Sequence, residues 1–410
     1  MLSILKNNRE YIYSILVGLF FILILHFKAS YTAIPAILGL SGLYFVVLSI
    51  KNKTFAICPE NRILVITFWI YFLLFVISLI VNKGEARELD LPSRVLIALP
   101  ILTLLSQIKI KPFWVLYSIL VACILAGIVA IIQKFYLHLP NPFPIHNRIQ
   151  AGDIVMTLAV FSLCIGFYAY QVRNKLLMII ASIAFSFGFI ASVLCLARGA
   201  LVGFVIALVA ILFFYRHLLS KKAVIFVMIF TLFAGSVSYK VAEKRWNRVS
   251  VEITQCLQKN KCVSSVGLRL DMYKSAFLGI QEKPIFGWGL EGVKEMRKQH
   301  IKQKYVSKHI ARFNHSHNQF LHDGSARGLL GLLVLCAIFF VPFGLFAKGI
   351  KQTTNKVSQL FGVMGVVHIL AIMGYCLTQG FLSHHSGNLF YLATVMILLS
   401  LQRITTERNK

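Results

Sequence analysis

A chain of 410 residues that is 58% hydrophobic and only 14% charged, with a formal net charge of +28, is excluded from the ordinary soluble domains: so much apolar surface cannot be buried in a globule of this size with so little charge to cover it. The composition reads as an integral membrane protein.

Stretches of about 17–25 apolar residues can cross the hydrocarbon core. In chain order they fall at 11–27, 31–50, 62–81, 92–106, 113–132, 154–170, 175–197, 199–215, 222–239, 325–347, 357–378 and 387–402. The weakest is 92–106, which is short and begins at Pro92. From Leu176 to Tyr215 the only charged residue is Arg198. At about 1.5 Å per residue that run would be about 60 Å long, roughly twice the thickness of the core. The chain therefore turns near Ala197-Arg198-Gly199, which puts Arg198 at a membrane face between two helices. A charge isolated there is functional by default, the alternative being an interfacial anchor that reaches headgroups.

Every second connection is rich in Lys and Arg, beginning with Lys6/Arg9, Lys51/Lys53/Arg62 and Lys109/Lys111 and ending with Arg403/Arg408/Lys410. The alternate short connections carry fewer, or offset them with Glu85, Glu88 and Asp90. Basic residues are retained on the cytoplasmic side, so both termini are expected there. The first apolar run is long enough to span and lacks a small-residue cleavage site, which argues against a cleavable signal peptide. The fold class expected is an all-α polytopic membrane protein of about 12 transmembrane helices with one large, mostly helical periplasmic loop. Its parts would be a membrane domain over 1–239, the loop over 240–324 and a second membrane segment over 325–410.

Between 240 and 327 there are 17 Lys and Arg against 7 Asp and Glu, a net +10. Long loops translocate largely regardless of charge, so the excess calls for another cause. It suits a surface that holds polyanions such as phosphorylated or pyrophosphate-bearing lipids, or a solvated surface lying near anionic headgroups. Nucleic acid is not an expected partner for a loop on the outer side. The same loop contains QCLQKNKC, and Cys256 and Cys262 closing a small polar loop in an oxidising compartment favour a disulfide over a metal site.

The block RFNHSHNQFLHDGSARGLLGLL, from Arg312 to Leu333, puts His315, His317 and His322 within eight residues. Three imidazoles could serve zinc, but neither an HExxH pattern nor paired cysteines accompany them. A neutral imidazole acting as general base near the membrane surface fits better, against the alternative of a merely hydrated helix start. Leu268, Tyr273 and Ala276 suggest an amphipathic helix lying on the membrane, in which Arg269 could be an ordinary surface charge. Gly287-Trp288-Gly289 lacks the strand–turn–helix context of a dinucleotide fingerprint and reads as a tight turn after Pro284. Gly328 and Gly331 read as small residues that let the following span pack closely.

The spacing His317-Asn318, nine residues, Gly328, two residues, Gly331 resembles the H-N-x9-G-x-x-G pattern of the O-antigen ligase family of bacterial membrane glycosyltransferases. Arg198-Gly199, Gly267-Leu268-Arg269 and Lys283-Pro284-Ile285-Phe286-Gly287-Trp288-Gly289 are similar to that family's blocks and stand in the same order. The resemblance covers roughly 140–345, with the N-terminal third alike only in hydrophobic pattern. It implies an enzyme of the bacterial inner membrane that needs no cofactor or metal. Its donor would be an undecaprenyl-diphosphate-linked glycan, and its acceptor the lipid A–core oligosaccharide of lipopolysaccharide, with inversion at the transferred sugar. His317 would be the base. Arg198 and Arg269 would clamp the donor diphosphate, with Arg148 and Arg312 as further candidates, because planar guanidinium forks bind phosphate bidentately. An O-antigen polymerase or a protein O-oligosaccharyltransferase would use the same donor. A transporter or flippase is the competitor of another class, but it would keep ionisable residues at mid-membrane depth, where this sequence shows mainly His368 and Gln379.

Overall fold

The computed structural model describes residues 2–53, 59–218, 264–313 and 315–407, and every regular element among them is helical. Among the described residues, nine helical stretches are long and apolar enough to cross a membrane, and a tenth, Arg198–Phe214, is apolar but shorter. The protein is a multi-pass membrane protein. The reason is elementary: in lipid each backbone N–H and C=O must be satisfied within its own segment, so an apolar run such as RILVITFWIYFLLFVISLIV becomes a helix. The predicted span 222–239 and the cysteine pair Cys256 and Cys262 lie outside the described residues.

The helices are α1 (Leu2–Leu23), α2 (Ser30–Lys51), α3 (Arg62–Val81), α4 (Arg94–Ala98), α5 (Pro100–Gln107), α6 (Pro112–Ile131), α7 (Arg148–Gln171), α8 (Lys175–Leu194), α9 (Arg198–Phe214), α10 (Ser265–Glu282), α11 (Gly292–Lys302), α12 (Gln319–Gln352), α13 (Lys356–Cys376) and α14 (His385–Glu407). Polar side chains set several of their starts. Asn147 accepts from the N–H of Ile149 at 2.9 Å, Asn174 from Leu177 at 3.0 Å and Asn355 from Val357 at 2.8 Å, each satisfying a donor that the first helical turn leaves open. The predicted span 92–106 is instead two short helices, α4 and α5, abutting at Leu99–Pro100; proline is tolerated at a helix start and breaks the ladder within one. The turn required by the length of 176–215 is present, with α8 ending at Leu194, Leu196 in the left-handed region at φ 55° and α9 beginning at Arg198. The helix expected from 325 starts earlier, at Gln319, because Asn318 accepts from the N–H of Leu321 at 3.1 Å and so caps a polar first stretch that hydropathy does not register.

The chain forms two compact units, one comprising Met1–Leu73, Leu89–Ile211 and Cys336–Lys410, the other Leu74–Glu88 and Leu212–Leu335. In the first unit α7, α13 and α14 are buried along most of their length, while α2, α8 and α9 expose large apolar side chains such as Leu40, Ile179 and Val209. Close helix approach relies on small residues: a Cβ on Gly203 of α9 would lie 2.1 Å from the Tyr375 ring, and one on Gly374 of α13 would lie 2.7 Å from the Gly203 Cα. The interior of this unit is not purely apolar. Asp153 of α7 is fully buried, and one carboxylate oxygen accepts from the amide of Gln379. Nearby, Gln150 donates to the carbonyl of Phe381 at 3.2 Å and Thr157 meets the Tyr375 hydroxyl at 3.1 Å. These contacts tie α7 to the chain that follows α13.

Candidate functional site

In the second unit the functional block is built on α10. Ser264 caps this helix by accepting from the N–H of Gly267 at 3.0 Å, and Leu268 and Met272 bury their side chains against Val306 and Ile310. The face that the sequence suggests for the membrane surface is thus occupied by protein. Asp271 on the same helix accepts from the N–H of Ser307 at 2.8 Å; burial pushes its carboxyl up, with the Ser307 N–H and Lys274 acting the other way. Arg269 is left half-buried.

The next helix, α11, reads in sequence as a solvated basic surface helix, GVKEMRKQHIK, yet two of its polar residues are interior. His300 is 1% exposed and bridges to α10: its Nδ1 lies 2.9 Å from the Ser275 hydroxyl and its Nε2 3.0 Å from a Glu282 carboxylate oxygen. Ser275 is completely buried, so this Ser–His–Glu chain is a clamp between helices and not a nucleophile with its base. Arg297 is also 1% exposed. Its guanidinium donates to the carbonyl of Phe313 and, at 3.0 Å, to the hydroxyl of Ser316, which fixes the turn that carries the histidines.

On that turn the rings of His315 and His317 lie 4.3 Å apart, centroid to centroid. Phe313 meets His317 edge-on at 5.8 Å. The backbone of His317 is left-handed, φ 51°, an uncommon and costly conformation for a side-chain-bearing residue, and one concentrated at functional sites. It is held there from both sides: the His317 carbonyl accepts from the Tyr273 hydroxyl at 3.3 Å, and Asn318 is engaged in capping α12. Burial pulls the His315 imidazole below its ordinary range, and the nearby charges of Arg297 and then Arg269 act in the same direction. Burial likewise raises the Tyr273 phenol, opposed by Arg269. The arrangement is a pair of imidazoles in basic surroundings, which can accept a proton and hold an anion nearby.

Gly328 has a role other than close packing between spans. It interrupts α12 with φ 67° and ψ −163°, a conformation essentially confined to glycine. The cause is a crossing backbone: Leu329 N–H donates to the Pro284 carbonyl at 2.7 Å, and a Cβ on Gly328 would lie 2.3 Å from the carbonyl oxygen of Ile285. The turn after Pro284 continues along the helix, with Trp288 N–H donating to Ser325 and Gly289 N–H to Ala326. Gly287 and Gly289, at φ 65° and 75°, make this path possible. The separated motifs KPIFGWG and HN-x9-G are therefore one physical unit. Gly331 packs where the interrupted helix resumes, against Arg327 of its own chain segment. Gly328→Ala should destabilise the protein by at least about 1–3 kcal/mol from backbone strain alone, with the steric clash in addition, and a thermal melt in detergent at unchanged buffer measures it.

The remaining predicted residues are placed as follows. Arg312 is exposed at the end of a short 3-10 turn, 4.9 Å over the Phe313 ring. Arg148 and Arg198 belong to the first unit, each exposed and each the first residue of its helix, α7 and α9. Among the described residues no three His, Cys, Asp or Glu side chains converge as metal ligands. His322 is buried at the start of α12 one turn from the Arg327–Asp323 pair, and Arg327 stacks 3.6 Å over the Phe75 ring. Sequence reasoning missed Arg297, His300 and Asp153, since nothing in composition or spacing distinguishes an interior charge from a surface one.

The O-Antigen ligase family profile matches residues 183–336, an interval that contains Arg198, Arg269, the 283–289 turn and the histidine block. A Haemophilus influenzae protein described only as an uncharacterized protein is 34% identical over 399 residues, covering 96% of this chain and 99% of its own length. The matched interval and the coupled glycine and histidine motifs within it lead to one conclusion: the chain belongs to the O-antigen ligase family.

Proposed function

We propose that the protein is an O-antigen ligase that transfers a glycan from undecaprenyl diphosphate to a sugar hydroxyl of the lipid A–core oligosaccharide, on the periplasmic face of the bacterial inner membrane, with both termini in the cytoplasm. The observation that carries this reading is the histidine pair held on a strained turn among buried and half-buried arginines, within the interval matched by the family. The His317 imidazole takes the proton of the acceptor hydroxyl as that oxygen attacks the anomeric carbon. The bond from that carbon to the diphosphate oxygen breaks from the opposite face, which inverts the configuration and releases undecaprenyl diphosphate. Because the leaving group is already a pyrophosphate, the protein has chiefly to orient the partners and balance developing charge. Arg269 supplies charge beside the histidine pair. Arg198 is the second diphosphate-binding residue, with Arg148 and Arg312 in lesser roles.

The test uses purified full-length protein with lipid-linked glycan donor and core acceptor. A ligase produces core carrying the whole donor glycan in one step. If glycan chains instead lengthen on the lipid carrier while core stays bare, the protein is a polymerase, and if protein is glycosylated, an O-oligosaccharyltransferase. Loss of the lipopolysaccharide ladder on gene deletion, with lipid-linked polymer accumulating, is the matching result in cells.

A further inference from the structure

Arg297 is among the largest fully buried side chains of the described residues, and a buried guanidinium is expensive unless an anion accompanies it. Among the described residues none does. Its hydrogen bonds go to a carbonyl and a hydroxyl, those of Phe313 and Ser316, and its Nε, also buried, has no acceptor there. Burial pulls its pKa down only to about 10, so it remains a cation near neutral pH. The two groups it holds belong to Phe313 and Ser316, on either side of His315 in the chain, and Ser316, fully buried, stands between His315 and His317. A carboxylate would have stabilised the arginine better; neutral acceptors leave its charge uncompensated beside the imidazoles.

We propose that Arg297 is a positioning residue of the candidate active site, one that ties Phe313 and Ser316 on either side of His315 while presenting an uncompensated positive charge beside that imidazole. Coulomb's law gives the direction. A cation nearby penalises a second cation, so an imidazole there stays neutral, and able to accept a proton, to lower pH than it otherwise would. At His315, burial and Arg269 act in the same direction as Arg297. Arg269 from α10 adds positive charge to His315, Tyr273 from α10 is a neutral phenol bonded to the His317 backbone, and His322 at the start of α12 is influenced by His315, Arg297 and Arg327. The carboxylate of Asp323, next to His322 in the chain, is paired with Arg327. The catalytic half of the inference rests on the proposed base role of His317. The electrostatic half does not.

Two variants of the full chain, Arg297→Gln and Arg297→Lys, separate the effects. The direct readout is the rate at which diethyl pyrocarbonate modifies His315 as a function of pH, followed by peptide mass spectrometry, since only the neutral imidazole reacts. In Arg297→Gln the midpoint of that curve should rise by about one pH unit, and the acid limb of glycan transfer should rise with it. In Arg297→Lys the midpoint should stay near the wild-type value while turnover falls, because one ammonium cannot reproduce the fork that reaches Phe313 and Ser316 together. An unmoved His315 midpoint in folded Arg297→Gln overturns the electrostatic role, and full turnover in Arg297→Lys overturns the positioning role. If Arg297→Gln does not fold, Arg297→Met in a shorter pH series gives the same midpoint comparison, and the lysine variant still decides the positioning role. Should His317→Ala retain full transfer, the proposed base fails, yet the modification curve of His315 still decides what Arg297 does.

Discussion

His317→Ala is expected to lower glycan transfer by roughly 10²–10⁴-fold, the range typical of losing a general base, while the affinity for lipid-linked donor stays within about a factor of three, a margin far below one bidentate phosphate contact. The split follows from where the residue sits. His317 is carried on a turn fixed by Arg297 and Tyr273, and its proposed task is a proton transfer that belongs to the transition state, so its removal lowers turnover rather than ground-state binding. A metal site would behave differently. Losing any one ligand opens such a site, so alanine at His315 and at His322 would then be as damaging as at His317, and a chelator would abolish activity. The expected pattern is chelator-insensitive transfer and a loss at His317 that exceeds the loss at His322 by at least about tenfold, as for a base against a neighbour. Since the alanine substitution also removes a β-branch-free side chain from a left-handed position, His317→Asn is the better shape control: asparagine tolerates that conformation, and it should be as inactive as alanine. Full transfer by His317→Asn would end the base reading and leave the motif as a helix cap.

The contrast between what could be read in the sequence and what could not has a physical origin in each case. Most spans within the described residues were legible because lipid forces an apolar run to satisfy its own backbone, the exception being 92–106, split at Pro100, and the turn before Arg198 was legible from length alone. The break in α12 was not. It exists because the backbone of Pro284 and Ile285 crosses the helix at Gly328, a contact between segments more than forty positions apart whose trace in the sequence is three glycines, Gly287, Gly289 and Gly328. The resemblance pointed to the 283–289 block and to Gly328 without saying why they belong together; the crossing says why. Arg297 was hidden for the opposite reason. In KEMRKQHIK it is one base among several on a helix that looks solvated, and only the packing of α11 under the 313–316 turn makes it interior. Asp153 was overlooked because it stands at the margin of an apolar run, where a carboxylate is ordinarily hydrated, whereas here it lies fully buried against Gln379.

Arg269→Ala and Arg198→Ala should each weaken donor binding as well as turnover, by about 1.5–3 kcal/mol for a charge-assisted contact, equivalent to roughly 10- to 100-fold in kcat/KM. Both residues are proposed to hold the diphosphate, whose charge is present before the reaction and grows at the leaving oxygen during it; their loss is therefore felt in the ground state and again in the transition state. Arg269 is half-buried on α10, a helix anchored by Leu268 and Met272, so its side chain works from a fixed base and in partly excluded water, where an ionic contact is stronger than on the open surface. Arg198 opens α9, and an anion held there would also meet the positive end of the helix dipole. Lysine at either position should restore only part of the loss, since a point charge replaces a planar fork. Arg148 and Arg312, proposed only in lesser roles, should cost no more than a few-fold. Donor affinity measured with a lipid diphosphate in detergent micelles, at two salt concentrations, separates these cases: the wild-type affinity should fall as salt rises, and Arg269→Ala should flatten that dependence. An unchanged affinity and unchanged salt dependence in Arg269→Ala would remove it from the donor site and leave Arg198, with Arg148 and Arg312, to account for diphosphate recognition.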